Sequence, residues 1–400
     1  MLVESLSLIN AIGLWPALAV AGVVLVIALN LHAWRRDRRF ALELAAERQQ
    51  LKVHAEWPSS APRVTFLIAA WNEHDILPRS LGSILALSYL DIEIIVCAGG
   101  DDRTLALAQH FECDRPGRRV LVLEQFEGEG KQRALGRCFA KATGQIIYLT
   151  DADCVIDDTT FGLCVRPIVE CQERAVTGSF YFPLPEQLGE PFVSAHMAVL
   201  AYTAAGHPPY STGLLGGNCV IQRGALEAAG GFPSDVHTGT DYDLAKRLLN
   251  IGVRIRYQVH ASIASEFPRS VSAYAQQQTR WIRNVVMYGL RYQAYSEVLA
   301  CLRTSLIGLV MLAGPVVWLA IAAWFGLLSL QALLVASGWA VVFLHALLSR
   351  MRYQRFAEYW LNTPRYAWLV GWQAAFLWLD FAVWLVPLLE YPIQSRRERW

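Results

Sequence analysis

QIIYLTDAD, residues 145–153, is the stretch on which the reading of this chain turns. An apolar, β-branched run ends in two aspartates spaced i, i+2. A short run of this kind bounded by polar residues predicts a buried strand, with the aspartates just beyond its carboxyl end. Working outward, RVTFLIA (63–69), IEIIVC (92–97) and RVLVLE (119–124) have the same character. Helical patterns separate them, such as DILPRSLGSILAL (75–87) and GKQRALGRCFAKA (130–142). Strand–helix alternation predicts an α/β fold, a mostly parallel sheet covered by helices on both faces.

Such sheets bind ligands beyond the carboxyl ends of their strands. The residues there are AAWNE (69–73), AGGDDRT (98–104) and the DAD of Asp151 and Asp153. One such aspartate is readily explained as a helix cap, but acids and glycines after three strands point to a shared rim. Carboxylates suit hard cations such as Mg²⁺ or Mn²⁺ that also take phosphate oxygens. Asp153 is the expected metal ligand, with Asp151 sharing the ion or facing a ribose. Lys131, in GEGKQRAL (128–135), opens a helix, and both a lysine and a helix N-terminus favour phosphate. The G-x-x-x-x-G-K-[ST] spacing of a P-loop is missing. Further on, GGNCVIQRGALEAAGGF (216–232) leads into HTGTDYDLAKRLL (237–249). There Thr240 or a neighbour is expected to cap a helix, and Asp241 or Asp243 is a candidate general base. First-turn acids also favour the helix dipole without any catalytic role.

Composition divides the chain. Of 400 residues, 54% are hydrophobic and 17% charged, against about a quarter charged in soluble domains. Part of the chain is therefore expected in lipid. A net charge of +1 gives no electrostatic case for nucleic acid. The eight cysteines form no C-x-x-C pair, so neither a zinc site nor a disulfide framework is indicated; reduced thiols fit a cytosolic domain. Residues 11–33 are apolar and about long enough to span a bilayer, and WRRDRR (34–39) follows at once. Basic residues after the apolar run argue for an anchor whose carboxyl end faces the cytoplasm, not for a signal peptide. Residues 305–348 are roughly twice a spanning length, with FGLLSLQ (325–331) as the expected turn of a hairpin and SRMRYQR (349–355) marking the return. A third candidate, 366–389, contains Gln373 and Asp380 and precedes the basic RRERW. Crossing there would break the positive-inside pattern, so a re-entrant or interfacial course is the alternative. Asp380 is either functional or paired within the bundle.

The expected organisation is an anchor (1–34), a juxtamembrane segment (35–62), a cytosolic domain (63–269), an amphipathic interfacial region (270–303) and two to three C-terminal membrane helices with a basic tail (304–400). Residues 272 to about 300 read as one amphipathic helix at the interface. In it Gln277, Arg280 and Trp281 are spaced i, i+3, i+4 and share a face. That face suits a diphosphate and a sugar ring, or equally a headgroup-level anchor.

Together these motifs resemble those of membrane-bound, processive-type family 2 glycosyltransferases with the GT-A fold, the group of cellulose, chitin and hyaluronan synthases and several lipid glycosyltransferases. AAWNE is similar to the family's P-A-Y-N-E, GKQRAL to G-K-x-x-A-L, DAD to D-x-D, TDYDL to T-E-D-x-D-L, and QQTRW (277–281) matches Q-x-x-R-W in full. The resemblance implies that Ala70 and Glu73 lie at the nucleotide base and that Asp241 is the base, with Asp243 supporting. It further implies that Gln277 and Arg280 attend the diphosphate and that Trp281 attends the acceptor. There are departures. Cys97 and Ala98 replace the first acids of V-D-D-G-S-x-D, leaving Asp102 as the remaining acidic donor contact, and Thr240 stands where the family has Glu. The implied reaction is inverting transfer from a nucleotide-diphosphate sugar, a UDP-sugar by expectation, to a membrane-associated lipid. The alternatives are processive polysaccharide synthesis and, in another class, a non-catalytic sugar-nucleotide-binding scaffold. The implied location is a bacterial inner membrane.

Overall fold

The structure is a computed structural model and describes residues 2–51, 57–58, 60–236, 238–324, 330–363 and 369–385. It opens with a 49-residue helix, α1 (Leu2–Gln50). The α/β part then runs β1 (Val64–Trp71), α2 (Leu77–Leu85), β2 (Ile92–Gly99), α3 (Thr104–Gln109), β3 (Cys113–Arg115), β4 (Arg118–Glu124), α4 (Gly130–Lys141), β5 (Ile146–Leu149) and α5 (Asp158–Cys171). It continues with β6 (Ala175–Thr177), β7 (Tyr181–Pro183), α6 (Pro191–Ala205), β8 (Tyr210–Ser211), β9 (Cys219–Gln222), α7 (Arg223–Ala228), α8 (Thr240–Asn250), β10 (Ile255–Tyr257) and β11 (Ile263–Ser265). Four helices close the described chain: α9 (Val271–Arg291), α10 (Tyr295–Trp324), α11 (Leu330–Leu361) and α12 (Leu369–Val383).

The nine-stranded sheet has the order β3-β4-β2-β1-β5-β9-β6-β10-β8. The four strands legible in the sequence are its parallel block, β4-β2-β1-β5, with Val64 opposite both Ile92 and Ile146. Period-two alternation sends Phe66, Ile68 and Tyr148 to one face, under Phe161 of α5, and Leu67, Ile95 and Ile147 to the other, under Leu135 and Cys138 of α4. The shorter strands after residue 170 make the other half mixed. There β9 runs antiparallel to β5, pairing Leu149 with Cys219. This reversal brings residues 216–218, ahead of β9, to the same rim as the DAD turn. A second sheet pairs β7 with β11, and the Val155 N–H donates to the Ala264 carbonyl at 2.8 Å. Tyr181 and Ser265 thereby reach the same rim.

Two segments, Ala17–Gln50 and Tyr295–Ile321, are long and apolar enough to cross a membrane. Their apolar side chains point outward, Val20 at 63% and Val316 at 67% exposure. α1 is continuous across the expected boundary at 34/35, and its carboxyl half packs Ala41 and Leu44 against Met197 of α6 and Trp360 of α11. The single helix expected from 272 to about 300 is instead two. α9 stops at Arg291, Gln293 takes φ 56°, and the Ala294 N–H closes on the Gly289 carbonyl at 2.8 Å. α10 then runs unbroken through 303/304. The expected hairpin turn lies mostly at 325–329, outside the described residues, as do 364–368, 386–389 and the RRERW tail. Asp380 is paired within the bundle: it accepts from Tyr274 Oη at 2.5 Å and forms an ion pair with Arg350. Gln373 donates to Gln354 at 2.9 Å.

Candidate active site

Asp151 follows the end of β5, and the amino end of α4 aims Lys131 at it. The two form an ion pair through Oδ1. Oδ2 accepts from Tyr181 Oη at 3.2 Å, and that hydroxyl accepts from the Gly217 N–H at 3.0 Å. Two residues on, Asp153 Oδ2 accepts from Ser265 Oγ at 2.8 Å. Asp151, Asp153 and Cys154 bring ligand atoms within 4.8 Å of one another. Asp241 enters from α8 in its first turn. A Cβ on Gly216 would lie 3.1 Å from Asp241 Oδ2, so the backbone ahead of Gly217 passes close against the Asp241 carboxylate. The expected Thr240 cap is not formed: Gly239 occupies the capping position with φ 65° and α8 has no side-chain cap. Asp243 points away, fully buried against Arg247 Nε at 2.8 Å and Tyr292 Oη at 2.6 Å.

These groups share one electrostatic field. Burial would raise Asp151, but the Lys131 charge and hydrogen bond, Tyr181 and the positive field of Arg280 outweigh it and hold the carboxyl below its ordinary value. Burial, and then the Asp151 charge, push Asp153 up to about 6. Asp241 is raised mainly by burial, with Lys131 opposing. Glu73 is pushed up to about 7 by burial and by the charges of Asp153, Glu266, Asp151 and Asp102. The Lys131 side chain is 43% exposed, so its pair with Asp151 is partly screened and adds little to stability. The rim therefore carries more carboxylate than it neutralises. Two carboxylates at ligand spacing, one of them pushed up first by burial and then by the charge of the other, fit a hard divalent cation. The adjacent Cys154 thiol is buried and kept protonated well above its usual range by burial and the two aspartates, which does not suit a ligand of such an ion.

Other predicted residues fall differently. Ala70 lies within β1, fully buried in the core, so its side chain offers no surface to a nucleotide. Asp102 stitches the loop after β2 to the loop after β1: Oδ2 accepts from His74 Nδ1 at 2.8 Å and Oδ1 from the Thr104 N–H at 2.8 Å. Burial opposes these bonds, which nonetheless hold it at about 2. Each of its two oxygens thus accepts at least one bond from within the protein. Beside it Asn72 adopts φ 58° and accepts from the Asp101 N–H at 2.8 Å. Gly100 has φ 120° and would place a Cβ 2.0 Å from Asn72 Oδ1, so only glycine serves there. Cys97 is buried under α4, which makes that departure a packing one. On α9, Arg280 is exposed and makes no hydrogen bond or ion pair among the described residues. Gln277 Oε1 is buried without a partner among them, and the Trp281 ring lies 6.5 Å from His196. Sequence reasoning missed Tyr181 and Ser265. Neither carries a local signal, because strand pairing alone brings them to the rim.

A mixed sheet with a D-x-D turn at its carboxyl rim, an acid-bearing helix and a basic helix beside it is the arrangement of the GT-A fold. The family model described as "Glycosyltransferase like family 2" matches residues 62–284, and the chain belongs to that family, a family of glycosyltransferase enzymes. It is 26% identical over 244 residues to "Probable glycosyltransferase YdaM" of Bacillus subtilis, covering 58% of this chain and 57% of that protein. It is 24% identical over 231 residues to a poly-beta-1,6-N-acetyl-D-glucosamine synthase of Staphylococcus aureus, covering 54% and 53%. The matches thus span little more than half the length of these relatives. Among solved structures, the mannosyltransferase PcManGT from Pyrobaculum calidifontis, in complex with GDP-Man and Mn²⁺, aligns over 95% of this chain and 99% of that one. Its TM-score is 0.56 at 19% identity, a likeness of fold.

Proposed function

We propose that this enzyme transfers one sugar from a nucleoside-diphosphate sugar to a lipid hydroxyl at the membrane surface, inverting the anomeric carbon in a single displacement. One observation carries the reading. The Asp151–Lys131 ion pair and Asp241, packed against Gly216, stand at one rim, and Arg280 is exposed on α9, the helix directly ahead of α10, a helix fit to cross a membrane. The donor thus lies over the sheet, and the acceptor arrives from the bilayer side.

In this reading Asp241 takes the proton of the acceptor hydroxyl as its oxygen bonds the anomeric carbon and the carbon–oxygen bond to the diphosphate breaks. General-base help of this kind contributes about 10²–10⁴ in rate. Asp151 and Asp153 would hold Mg²⁺ or Mn²⁺. When bound, such an ion supplies positive charge to the leaving diphosphate. Lys131 and Arg280 add fixed positive charge on the same side, Gln277 stands beside the diphosphate, Glu73 lies toward the nucleotide, and the Trp281 indole packs against the acceptor. Residues 17–34 anchor the chain, and WRRDRR holds the catalytic domain on the cytoplasmic side of a bacterial inner membrane.

A processive synthase is the second reading, favoured by the similarity to the staphylococcal synthase. Membranes holding the enzyme, incubated with labelled UDP-glucose, UDP-N-acetylglucosamine and GDP-mannose, separate the two. Label extracted into organic solvent supports lipid transfer. Label retained in a long polymer supports synthesis and overturns the first reading.

A further inference from the structure

The helix that carries Asp241 is tied to the first C-terminal membrane helix by side chains that the reading above does not use. Tyr242, adjacent to Asp241, donates its hydroxyl to Glu297 Oε2 at 2.6 Å. Lys246, one turn further, donates to Glu297 Oε1 at 2.5 Å and to the Thr212 carbonyl at 3.0 Å. Its ammonium also lies 4.7 Å from the centre of the Tyr242 ring. Glu297 sits in the first turn of α10. Thr212 belongs to the loop that leads to Gly216, the residue packed against Asp241. One carboxylate therefore joins a membrane helix, the Asp241 helix and a wall of the site. The Lys246 side chain is only 7% exposed, and a charge removed from water to that degree needs its partner.

A second attachment fixes the angle. At the start of α8, a Cβ on Gly239 would lie 2.9 Å from Asn284 Cγ and 3.1 Å from Tyr288 Cε2. The Thr238 hydroxyl also bonds the Asn284 side chain. Asn284 and Tyr288 follow Arg280 at i+4 and i+8 on α9, along the same face. α8 is thus held against α9 just ahead of its first residue, through Thr238 and Gly239, and against α10 within its first two turns. Two points of attachment set both the separation and the orientation of Asp241 relative to Arg280.

We propose that Glu297, acting through Tyr242 and Lys246, is a positioning residue that holds the Asp241 carboxylate in register with the Arg280 guanidinium, so that the seating of α10 in the membrane sets the geometry of the base. This rests on the reading of Asp241 as the base. The test uses the full chain in lipid nanodiscs, with release of nucleoside diphosphate from whichever labelled donor the panel above selects, and with binding of UDP or GDP in the presence of Mn²⁺. Glu297→Ala should lower kcat about 10- to 100-fold, since displacement on the order of 1 Å has such effects. Donor KM and nucleotide affinity should stay within about twofold. Glu297→Gln, which can still accept from Tyr242, should recover part of the rate. Tyr242→Phe should lower kcat by itself and add nothing to Glu297→Ala, as expected of groups acting as one unit.

Unchanged kcat in Glu297→Ala, or an equal loss in nucleotide affinity, overturns the proposal. Should Glu297→Ala fail to insert, Tyr242→Phe loses only one oxygen and carries the test alone, with unchanged kcat again the refuting result. Asp241→Asn separates the two readings. If it turns over normally, the base assignment fails and this proposal with it. If it is inactive while Glu297→Ala is unimpaired, the positioning role alone fails.

Discussion

Replacing Gly216 by alanine probes the proposed base, Asp241, without substituting it. The added methyl would lie 3.1 Å from Asp241 Oδ2, 3.2 Å from its Cβ and 3.3 Å from its Cγ. Carbon atoms pack best at about 3.5–4.0 Å, so the Asp241 side chain must yield by at least about 0.3 Å or turn about χ1. A misplacement of about 1 Å corresponds to about 10² in rate. A shift of a few tenths of an ångström, or a partial rotation, then lowers kcat about 3- to 30-fold, equivalent to about 0.7–2 kcal/mol of barrier. The neighbouring glycine gives the contrast. A Cβ on Gly217 would lie 2.8 Å from Cys154 Sγ and 2.8 Å from Tyr181 Cε1, so Gly217→Ala disturbs the Tyr181 hydroxyl that bonds Asp151. The assay is steady-state release of nucleoside diphosphate with donor varied at saturating acceptor, with membrane insertion and Tm checked in parallel. Gly216→Ala should lower kcat at unchanged donor KM, whereas Gly217→Ala should raise donor KM. The reverse pattern, or unchanged kcat in Gly216→Ala, would refute the assignment of Asp241 to the chemical step.

Asp241→Asn should fold and bind nucleotide but lose about 10²–10⁴ in turnover, as measured by single-turnover transfer beside equilibrium binding. Because burial raises the Asp241 carboxyl in the free protein and a base works only when ionised, kcat/KM should fall as pH drops through that raised value. The acid limb should then stand above the ordinary aspartate value of about 3.9, and a limb at or below it would count against the assignment. Arg280→Ala should remain membrane-inserted and lose turnover; near-normal rates would make that helix face an interfacial anchor only. Chelation with EDTA should abolish transfer and Mn²⁺ or Mg²⁺ restore it, with Asp153→Asn needing more metal for half-activation. Full activity in EDTA would remove the metal from the scheme.

The sequence by itself determined the parallel half of the sheet, because short β-branched runs such as FLIA and IIVC alternate with helix-length segments, the pattern of a parallel sheet covered on both faces. It determined that Asp151, Asp153 and Lys131 stand at one rim, because strand direction alone puts a residue just past a strand, or at the start of a helix, at the carboxyl edge. The apolar stretches 11–33 and 305–348 were likewise legible from length and composition, and the two helices long and apolar enough to cross a membrane, Ala17–Gln50 and Tyr295–Ile321, overlap them. Spacing alone also put Gln277, Arg280 and Trp281 on one face. What those residues meet was decided by the fold. Antiparallel β9 carries Gly216 to Asp241, and the β7–β11 pair carries Tyr181 and Ser265 to the aspartates, across gaps in sequence that no local pattern spans. The break at Gln293 shows the same limit. Residues 272–300 were read as one helix, yet the chain breaks at Gln293 and Glu297 of α10 bonds Tyr242 and Lys246 of α8, contacts that no local pattern in 272–300 announces. Asp380 could be read as functional while it stood alone in an apolar run; Arg350 and Tyr274, distant in sequence, make it a paired charge of the helix bundle.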